Sequence, residues 1–237
     1  NLGPFLTALK DTLQTSASWS KDGKRKYLMI NVSNSWTNSF VTMDVADDIC
    51  MEFQYNPLRN SGINEIQNAW NRDSLAASAG IRSYYSALTQ TSVNGYPGTY
   101  TYGEAILGCL AWHLTTKTDS SILGIMFAAS NSPLYPGWDT LVWRGCIDTV
   151  QNKLGNTIGI PYVYAQGTDP VGKAYKVWAR DYTNGLVLIR NRGSWNEGID
   201  TATKVPVSLS SPLLRIAPDG TYSIPINNLT LRNGEAA

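Results

Sequence analysis

Glu52 is the clearest candidate for a catalytic residue in this chain. It interrupts the apolar run 48–54 just before a polar stretch that ends at Pro57, so it stands where a predicted buried strand ends. A carboxylate at such a position can be the general acid or the nucleophile of a glycosidase. The alternatives are a structural ion pair, or binding of a sugar hydroxyl without chemistry.

Glycosidases generally use two carboxylates, about 5–5.5 Å apart in retaining enzymes and farther apart in inverting ones. No other acidic residue of the chain is a convincing partner for Glu52. Asp47 and Asp48 precede the strand, so we expect them at its opposite end. Glu104 opens a predicted helix, where it would interact with the helix dipole, and Glu65 and Asp73 belong to the predicted helical region 63–88.

Six residues near the predicted strand ends are candidates for substrate binding. Asn31 and Asn34 follow the first predicted strand and could bind sugar hydroxyls, although turns are an equal alternative for both. Aromatic rings can stack on the faces of sugars, although many aromatic rings simply pack in the protein core. The remaining candidates are Trp36, Gln54, Tyr55 and Trp138.

Other common kinds of active site find little support. The single histidine, His113, lies inside a predicted helix, which weakens Ser-His-Asp and histidine–metal mechanisms. Cys50, Cys109 and Cys146 lie in apolar contexts without metal-ligand spacing. We expect buried thiols, with one disulfide as the alternative. No glycine motif for phosphate or dinucleotide binding occurs, so the sequence predicts neither a metal nor a cofactor.

Helix-like and strand-like segments alternate over the first two thirds of the chain. Apolar residues at helical spacing predict helices, and compact apolar runs predict buried strands. This alternation favours a parallel sheet flanked by helices. The predicted helices are 6–13, 64–71, 75–88, Tyr102–Thr116 and 139–154, with a short helix or a turn at 40–46, and the predicted strands are 26–32, 48–54 and Ser121–Phe127.

From Pro161 onwards the pattern changes to short strand-like runs separated by Gly, Pro, Asn and Asp, as in an antiparallel β-sandwich. The clearest hairpin has Asn184-Gly185 at its centre, because Asn-Gly supplies the positive φ angles of a tight turn. The predicted runs are 162–165, 175–182, 186–191, 204–209, 213–216 and 229–231. We therefore predict an α/β domain at 1–158 and a β-sandwich domain at 159–237.

The number of strands predicts an incomplete barrel. Only three or four parallel strands precede the sandwich, whereas a (β/α)8 TIM barrel has eight strands and about 250 residues. The fold class expected is thus the C-terminal half of a TIM barrel followed by an antiparallel β-sandwich. The first half, with the partner carboxylate, is expected from the N-terminal half of the same protein or from a second chain, because a free half-barrel leaves an open edge.

Two motifs resemble the tail of glycoside hydrolases with a TIM-barrel catalytic domain. One is Leu154-Gly-Asn-Thr-Ile-Gly-Ile-Pro161, and the other is Val177-Trp-Ala-Arg-Asp-Tyr-Thr-Asn-Gly-Leu-Val-Leu-Ile-Arg-Asn191. In that family the first segment leads from the last barrel helix and the second builds a hairpin of the C-terminal sandwich. The resemblance implies a carbohydrate substrate, and both motifs are structural rather than catalytic.

Composition agrees with a secreted or cell-surface protein that handles sugars. Charged residues make up only 16% of the chain, the net charge is +1, and there are eight Trp and thirteen Tyr. Asn31 and Asn228 begin sequences that match the glycosylation pattern. No basic patch predicts nucleic-acid binding, and no apolar run predicts a membrane span. We expect a glycoside hydrolase, and the alternative is a carbohydrate-binding or surface structural protein without catalysis.

Overall fold

A computed structural model describes residues 2–15, 26–31, 46–52, 62–89, 100–127, 153–193 and 202–237. The chain forms two compact units, which do not follow the sequence order. The first comprises Asn1–Gln54, Asn71–Ala87 and Lys117–Gly124, and the second comprises Tyr55–Trp70, Leu88–Thr116 and Ile125–Ala237. The predicted division at residues 158 and 159 stays a prediction.

The first unit contains a four-stranded sheet. Its strands lie side by side in the order β1 (Met29–Asn31), β2 (Asp48–Glu52), β3 (Arg82–Thr89) and β4 (Ser121–Phe127). The β1–β2 and β2–β3 pairs are parallel. Helix α1 (Leu2–Thr15) precedes the sheet, and the chain between β2 and β3 contains α2 (Glu65–Ser78).

The predicted helix at 75–88 is wrong beyond Ser78, because the chain turns there into strand β3. Gly80 has a φ of 72° and ends α2. The amide of Gly80 donates to the carbonyl of Ala77, and the amide of Ile81 donates to the carbonyl of Ala76. This pair of hydrogen bonds is the Schellman arrangement that commonly closes helices at a left-handed glycine. Ser83 and Tyr85 then alternate into the buried face of the sheet, as a strand requires.

The predicted bounds of one helix and one strand are confirmed. Helix α3 is Tyr102–Thr116 and β4 is Ser121–Phe127. The predicted helix at 40–46 lies outside the described residues except for Ala46, and the one at 139–154 lies outside them except for its last two residues. A mixed α/β chain with a parallel sheet followed by antiparallel sheets is therefore confirmed, and the half-barrel stays a prediction.

The second unit contains two antiparallel sheets. One consists of β5 (Thr157–Thr168), β6 (Ala174–Tyr182) and β7 (Gly185–Arg192), and the other of β8 (Val205–Ile216) and β9 (Tyr222–Leu231). The predicted runs 204–209 and 213–216 are one strand, β8, with a register irregularity in the middle. Apolar side chains from both sheets share one core, made by Val177, Ala179, Leu188, Val207, Leu229 and Leu231.

The β6–β7 turn is centred one residue earlier than predicted. Tyr182 pairs with Gly185, so Thr183 and Asn184 form the turn, and Gly185 is not among the glycines with positive φ. The amide of Thr183 donates to the carbonyl of Asn156 at 2.9 Å, and the amide of Asn184 donates to the carbonyl of Leu154 at 3.1 Å. The turn is thus set by contacts with the segment before β5.

Asp169, in the turn between β5 and β6, is fully buried and binds two arginines. Its Oδ2 accepts hydrogen bonds from Arg190 at 2.9 Å and from Arg192 at 2.5 Å. Its Oδ1 accepts from the amides of Val171 and Lys173. Burial alone would raise the pKa of Asp169, but the hydrogen bonds from Lys173 and Arg192 outweigh it and lower the pKa.

We expect Gly155→Ala to destabilise the protein more than Gly172→Ala. Both glycines have a φ near 80°, where an alanine costs about 1–2 kcal/mol. A Cβ at Gly155 would also lie 2.0 Å from Thr183 Oγ1, whereas a Cβ at Gly172 would meet nothing within 4 Å. Urea unfolding of both variants separates the two effects. Equal losses of unfolding free energy would contradict a close contact between residue 155 and the turn.

We expect Asp169→Asn to lower the free energy of unfolding by about 3–5 kcal/mol, because it leaves two arginines near a neutral amide in a buried site. Urea unfolding measures this loss, and Asp219→Asn on the surface is the matched control. The stabilisation by Asp169 is complete above the ordinary carboxyl pKa and is lost as the pH falls through the lowered pKa. A loss no larger than that of the control would contradict the structural role of Asp169.

Candidate carboxyl-edge site

The ends of β1 and β2 bring two predicted site residues to the same edge of the parallel sheet. Asn31 ends β1 and pairs with Cys50, whereas Glu52 ends β2 and pairs with Ser86. Glu52 therefore lies two residues farther along its strand than Asn31, which is about 7 Å along and about 5 Å across. The edge at which these strands end is where active sites of parallel α/β folds form.

The structure describes only part of the predicted site. The side chain of Asn31 is exposed. The backbone of Glu52 is described and its side chain is not. The remaining predicted binding residues lie outside the described part of the chain, and they are Asn34, Trp36, Gln54, Tyr55 and Trp138.

Asp47 and Asp48 lie at the opposite, amino-terminal end of β2, as expected. Both carboxylate oxygens of Asp48 accept hydrogen bonds from the guanidinium of Arg82, at 2.6 and 2.8 Å, and this contact raises the pKa of Arg82. Asp47 accepts a hydrogen bond from the amide of Leu28 and pairs with Lys10. Both carboxylates are therefore structural, and neither reaches the carboxyl edge.

Glu104 and His113, which the sequence placed on a helix, have structural roles on α3. The amide of Thr101 donates to Glu104 Oε2 at 2.7 Å, and the amide of Glu104 donates to Thr101 Oγ1 at 3.2 Å. This reciprocal pair is a capping box, which supports the helix start. Glu104 also binds Arg232 at 2.8 Å. His113 is 8% exposed, as a packed residue should be.

The buried thiol expected in α3 is present, because Cys109 is fully buried and burial raises its pKa. Cys146 lies outside the described residues. Among the described residues, no three His, Cys, Asp or Glu side chains lie close enough to hold a metal ion. In the same part of the chain, no helix has both the length and the apolar character needed to cross a bilayer.

Asp73 is a buried carboxylate that the sequence reasoning placed on a helix without giving it a role. It lies on α2 and accepts hydrogen bonds from Tyr85 on β3 and, at 3.3 Å, from Ser121 at the start of β4. Burial raises its pKa to about 7, although hydrogen bonds and the charge of Arg72 act in the opposite direction. A shift of this size often marks a functional carboxylate.

The position of Asp73 nevertheless makes it a structural carboxylate. Its partner Tyr85 is fully buried. In the sheet Tyr85 pairs with Met51, whereas the next residue of β3, Ser86, pairs with Glu52. Successive residues of a strand point to opposite faces, so Tyr85 and Asp73 occupy the face covered by α2. Asp73 itself has no exposed surface, so a substrate cannot reach it. It links a helix to two strands behind the sheet.

We expect Asp73 to make the protein less stable as the pH rises from about 4 to about 7. The folded state holds the proton over this range and the unfolded state does not, so the unfolding free energy falls by about 1.4 kcal/mol per pH unit. The charged and titratable groups around Asp73 are Arg72 and Tyr85, and burial raises the pKa of Tyr85 well above its ordinary value. Asp73→Asn keeps an acceptor for Tyr85 and should remove the pH dependence.

Urea unfolding at several pH values, with Asp119→Asn on the surface as control, measures this effect. Parallel pH profiles for the wild type and Asp73→Asn would contradict a raised pKa at Asp73.

No family model matches the sequence, and no curated protein matches it. Among solved structures, the chain resembles a gamma-CGTase from the alkalophilic Bacillus clarkii, with 11% identity and a TM-score of 0.35. The match covers 89% of this chain and 40% of that enzyme, so the chain spans less than half the length of the protein that it matches. A likeness at this level establishes neither a shared fold nor a shared activity.

Proposed function

We propose that the protein is a glycoside hydrolase that uses paired carboxylates, with Glu52 as one of them. The observation that carries the proposal is the register of the parallel sheet. It places the last residues of β1 and β2, Asn31 and Glu52, at one carboxyl edge. A carboxylate beside a hydrogen-bonding amide suits a site that holds a sugar hydroxyl next to a reacting glycosidic bond.

The edge of the sheet at β1 supports the half-barrel part of the proposal. Within the part of the chain that the structure describes, β1 is the edge strand, and both Met29 on β1 and Tyr27 just before it are about half exposed. Parallel sheets are normally covered on both faces, and barrels have no free edge. We propose that the N-terminal half of the same protein, or a second chain, completes a (β/α)8 barrel here and supplies the second carboxylate.

In this proposal Glu52 serves as general acid or as nucleophile, and the polar and aromatic residues near it bind the substrate. Asn31, Asn34 and Gln54 would hydrogen-bond to sugar hydroxyls. Trp36, Tyr55 and Trp138 would stack on sugar rings. We further propose that the protein works outside the cell or at its surface, because its composition is polar, aromatic and nearly neutral.

A non-catalytic carbohydrate-binding or surface structural protein is the second candidate. One observation favours it. Among the described acidic residues near β2, Asp47 and Asp48 lie at the far end and Asp73 lies behind the sheet. Glu52 is thus the single acidic residue at the carboxyl edge within the part of the sheet that the structure describes. A fold that kept the sugar-binding residues and lost the second carboxylate would bind without hydrolysis.

We expect Glu52→Gln in the full-length protein to reduce hydrolysis of a responsive polysaccharide by about 1,000-fold or more, because loss of a positioned acid or base typically removes a factor of this order. Reducing ends released from a panel of polysaccharides measure the activity, and circular dichroism checks the fold. Glu65→Gln, on the first turn of α2, is the matched control and should keep full activity.

The same variants distinguish the two candidates. Unchanged hydrolysis by Glu52→Gln would remove Glu52 from the mechanism. If the wild type binds insoluble polysaccharides without releasing reducing ends, and Glu52→Gln binds equally well, the non-catalytic candidate is correct. In Glu52→Gly, azide rescue that gives a glycosyl azide of inverted configuration would identify Glu52 as the nucleophile, because azide then attacks in its place. A glycosyl azide of retained configuration would identify Glu52 as the general acid/base, because azide then replaces the attacking water.

A further inference from the structure

An apolar cleft of about 410 Å³ lies between α3 and the β8–β9 hairpin of the second unit. Leu107, Leu110 and Leu114 of α3 line one side. They recur at three- and four-residue spacing and so share one face of the helix. Leu213 and Leu214 of β8 line the opposite side. The volume falls within the range of small-molecule sites in proteins.

Both sides of the cleft keep apolar groups accessible to solvent. Helix α3 is almost entirely buried, yet Leu107 and Leu114 are only half-buried. On the other side, Leu214 is 51% exposed and Tyr222 is 45% exposed. Aliphatic carbons dominate this surface, so it offers few hydrogen-bond partners to sugar hydroxyls. It suits an apolar chain.

Charge at the two ends of the cleft orients such a ligand. Among the described residues that line the cleft, Lys153 is the single charged one, and it forms no ion pair with any of the described residues. The amide side chain of Asn184 lines the same end. This end therefore presents a solvent-exposed positive charge beside an apolar surface.

At the other end of the cleft, the charged side chains are already in ion pairs with one another. The cleft continues there into a polar one of about 480 Å³, with which it shares Leu107 and Tyr222. Arg215 in that polar cleft is bound by Glu235 at 2.9 Å, and Glu104 is bound by Arg232 at 2.8 Å. An anionic group placed at this end would meet two carboxylates and a cation that is already paired.

We propose that the apolar cleft binds a fatty acid, a linear acyl chain whose carboxylate pairs with Lys153 and whose tail runs along α3 toward Leu107. Leu107 and Leu114 lie two helical turns apart, about 10 Å, which suits a chain of medium length. The proposal rests on the shape and charge of the cleft and is independent of the proposed hydrolase activity.

Binding of dodecanoate to the full-length protein tests the proposal. Titration calorimetry below the micelle concentration should give saturable binding with one site. Lys153→Glu should weaken this binding by about tenfold or more, because an attraction becomes a repulsion. Lys204→Glu makes the same charge change at an exposed position outside the cleft and should bind like the wild type.

Two further measurements separate charge from shape. Dodecanol, which has no charge, should bind the wild type and Lys153→Glu equally. Leu107→Trp fills the cleft and should abolish binding of both ligands, with circular dichroism to check its fold. Absence of saturable binding, or equal affinities for Lys153→Glu and Lys204→Glu, would overturn the proposal. A concentration-dependent dimer that Leu107→Trp abolishes would also overturn it, because the cleft would then hold a second copy.

Discussion

Asp169 joins four separate places of the second unit through one buried carboxylate. It closes its own turn by accepting hydrogen bonds from the amides of Val171 and Lys173, and it binds Arg190 and Arg192 of β7. Arg190 in turn donates to the carbonyl of Thr203, just before β8, and to that of Leu231 at the end of β9. The three-stranded sheet and the two-stranded hairpin are therefore connected through Arg190, which binds the carboxylate of Asp169.

This arrangement fixes geometry more than it adds stability. A buried ion pair loses much of its attraction to desolvation, and apolar residues of the same size often replace it without loss. The ion pair instead selects one strand register, because a strand that slips by one residue would leave a guanidinium buried without its carboxylate. Burial lowers the pKa of Arg190, and the charge of Asp169 acts in the opposite direction by favouring the protonated guanidinium. The apolar core of Val177, Leu188 and Leu229 can then pack in one register.

The fold was predictable where local sequence decides the outcome. Tyr102–Thr116 has a capping residue and a uniformly apolar body, so both of its ends followed from the chain alone. The prediction of a helix at 75–88 is wrong after Ser78, because the alanines of this segment favour a helix whereas Gly80 ends it. That error concealed Asp73, since its partner Tyr85 had been placed on a helix rather than on a strand facing α2. The carboxyl-edge position of Glu52 followed from the alternation of helices and strands.

The hairpin between β6 and β7 shows why local patterns have a limit. Asn-Gly favours a turn centred on Asn184 and Gly185, but hydrogen bonds that the turn amides donate to the carbonyls of Leu154 and Asn156 select the register one residue earlier. The segments 154–161 and 177–191 are therefore in direct contact. The first segment accepts the hydrogen bonds that fix the turn of the second, so the register of the hairpin depends on both segments.

That contact also decides where the chain can accept added sequence. Loop tips are usually the safest places for inserted tags, linkers or new termini. The Thr183–Asn184 tip is an exception, because both of its amides are bound to another segment. At the tip of Asp219 and Gly220, the amide of Gly220 donates to the carbonyl of Ala217 and Asp219 accepts from the amide of Thr221, so these hydrogen bonds close the turn itself, and Asp219 is exposed. A fluorescent label or a circular permutation therefore belongs between β8 and β9, although the β6–β7 hairpin has the more typical turn sequence.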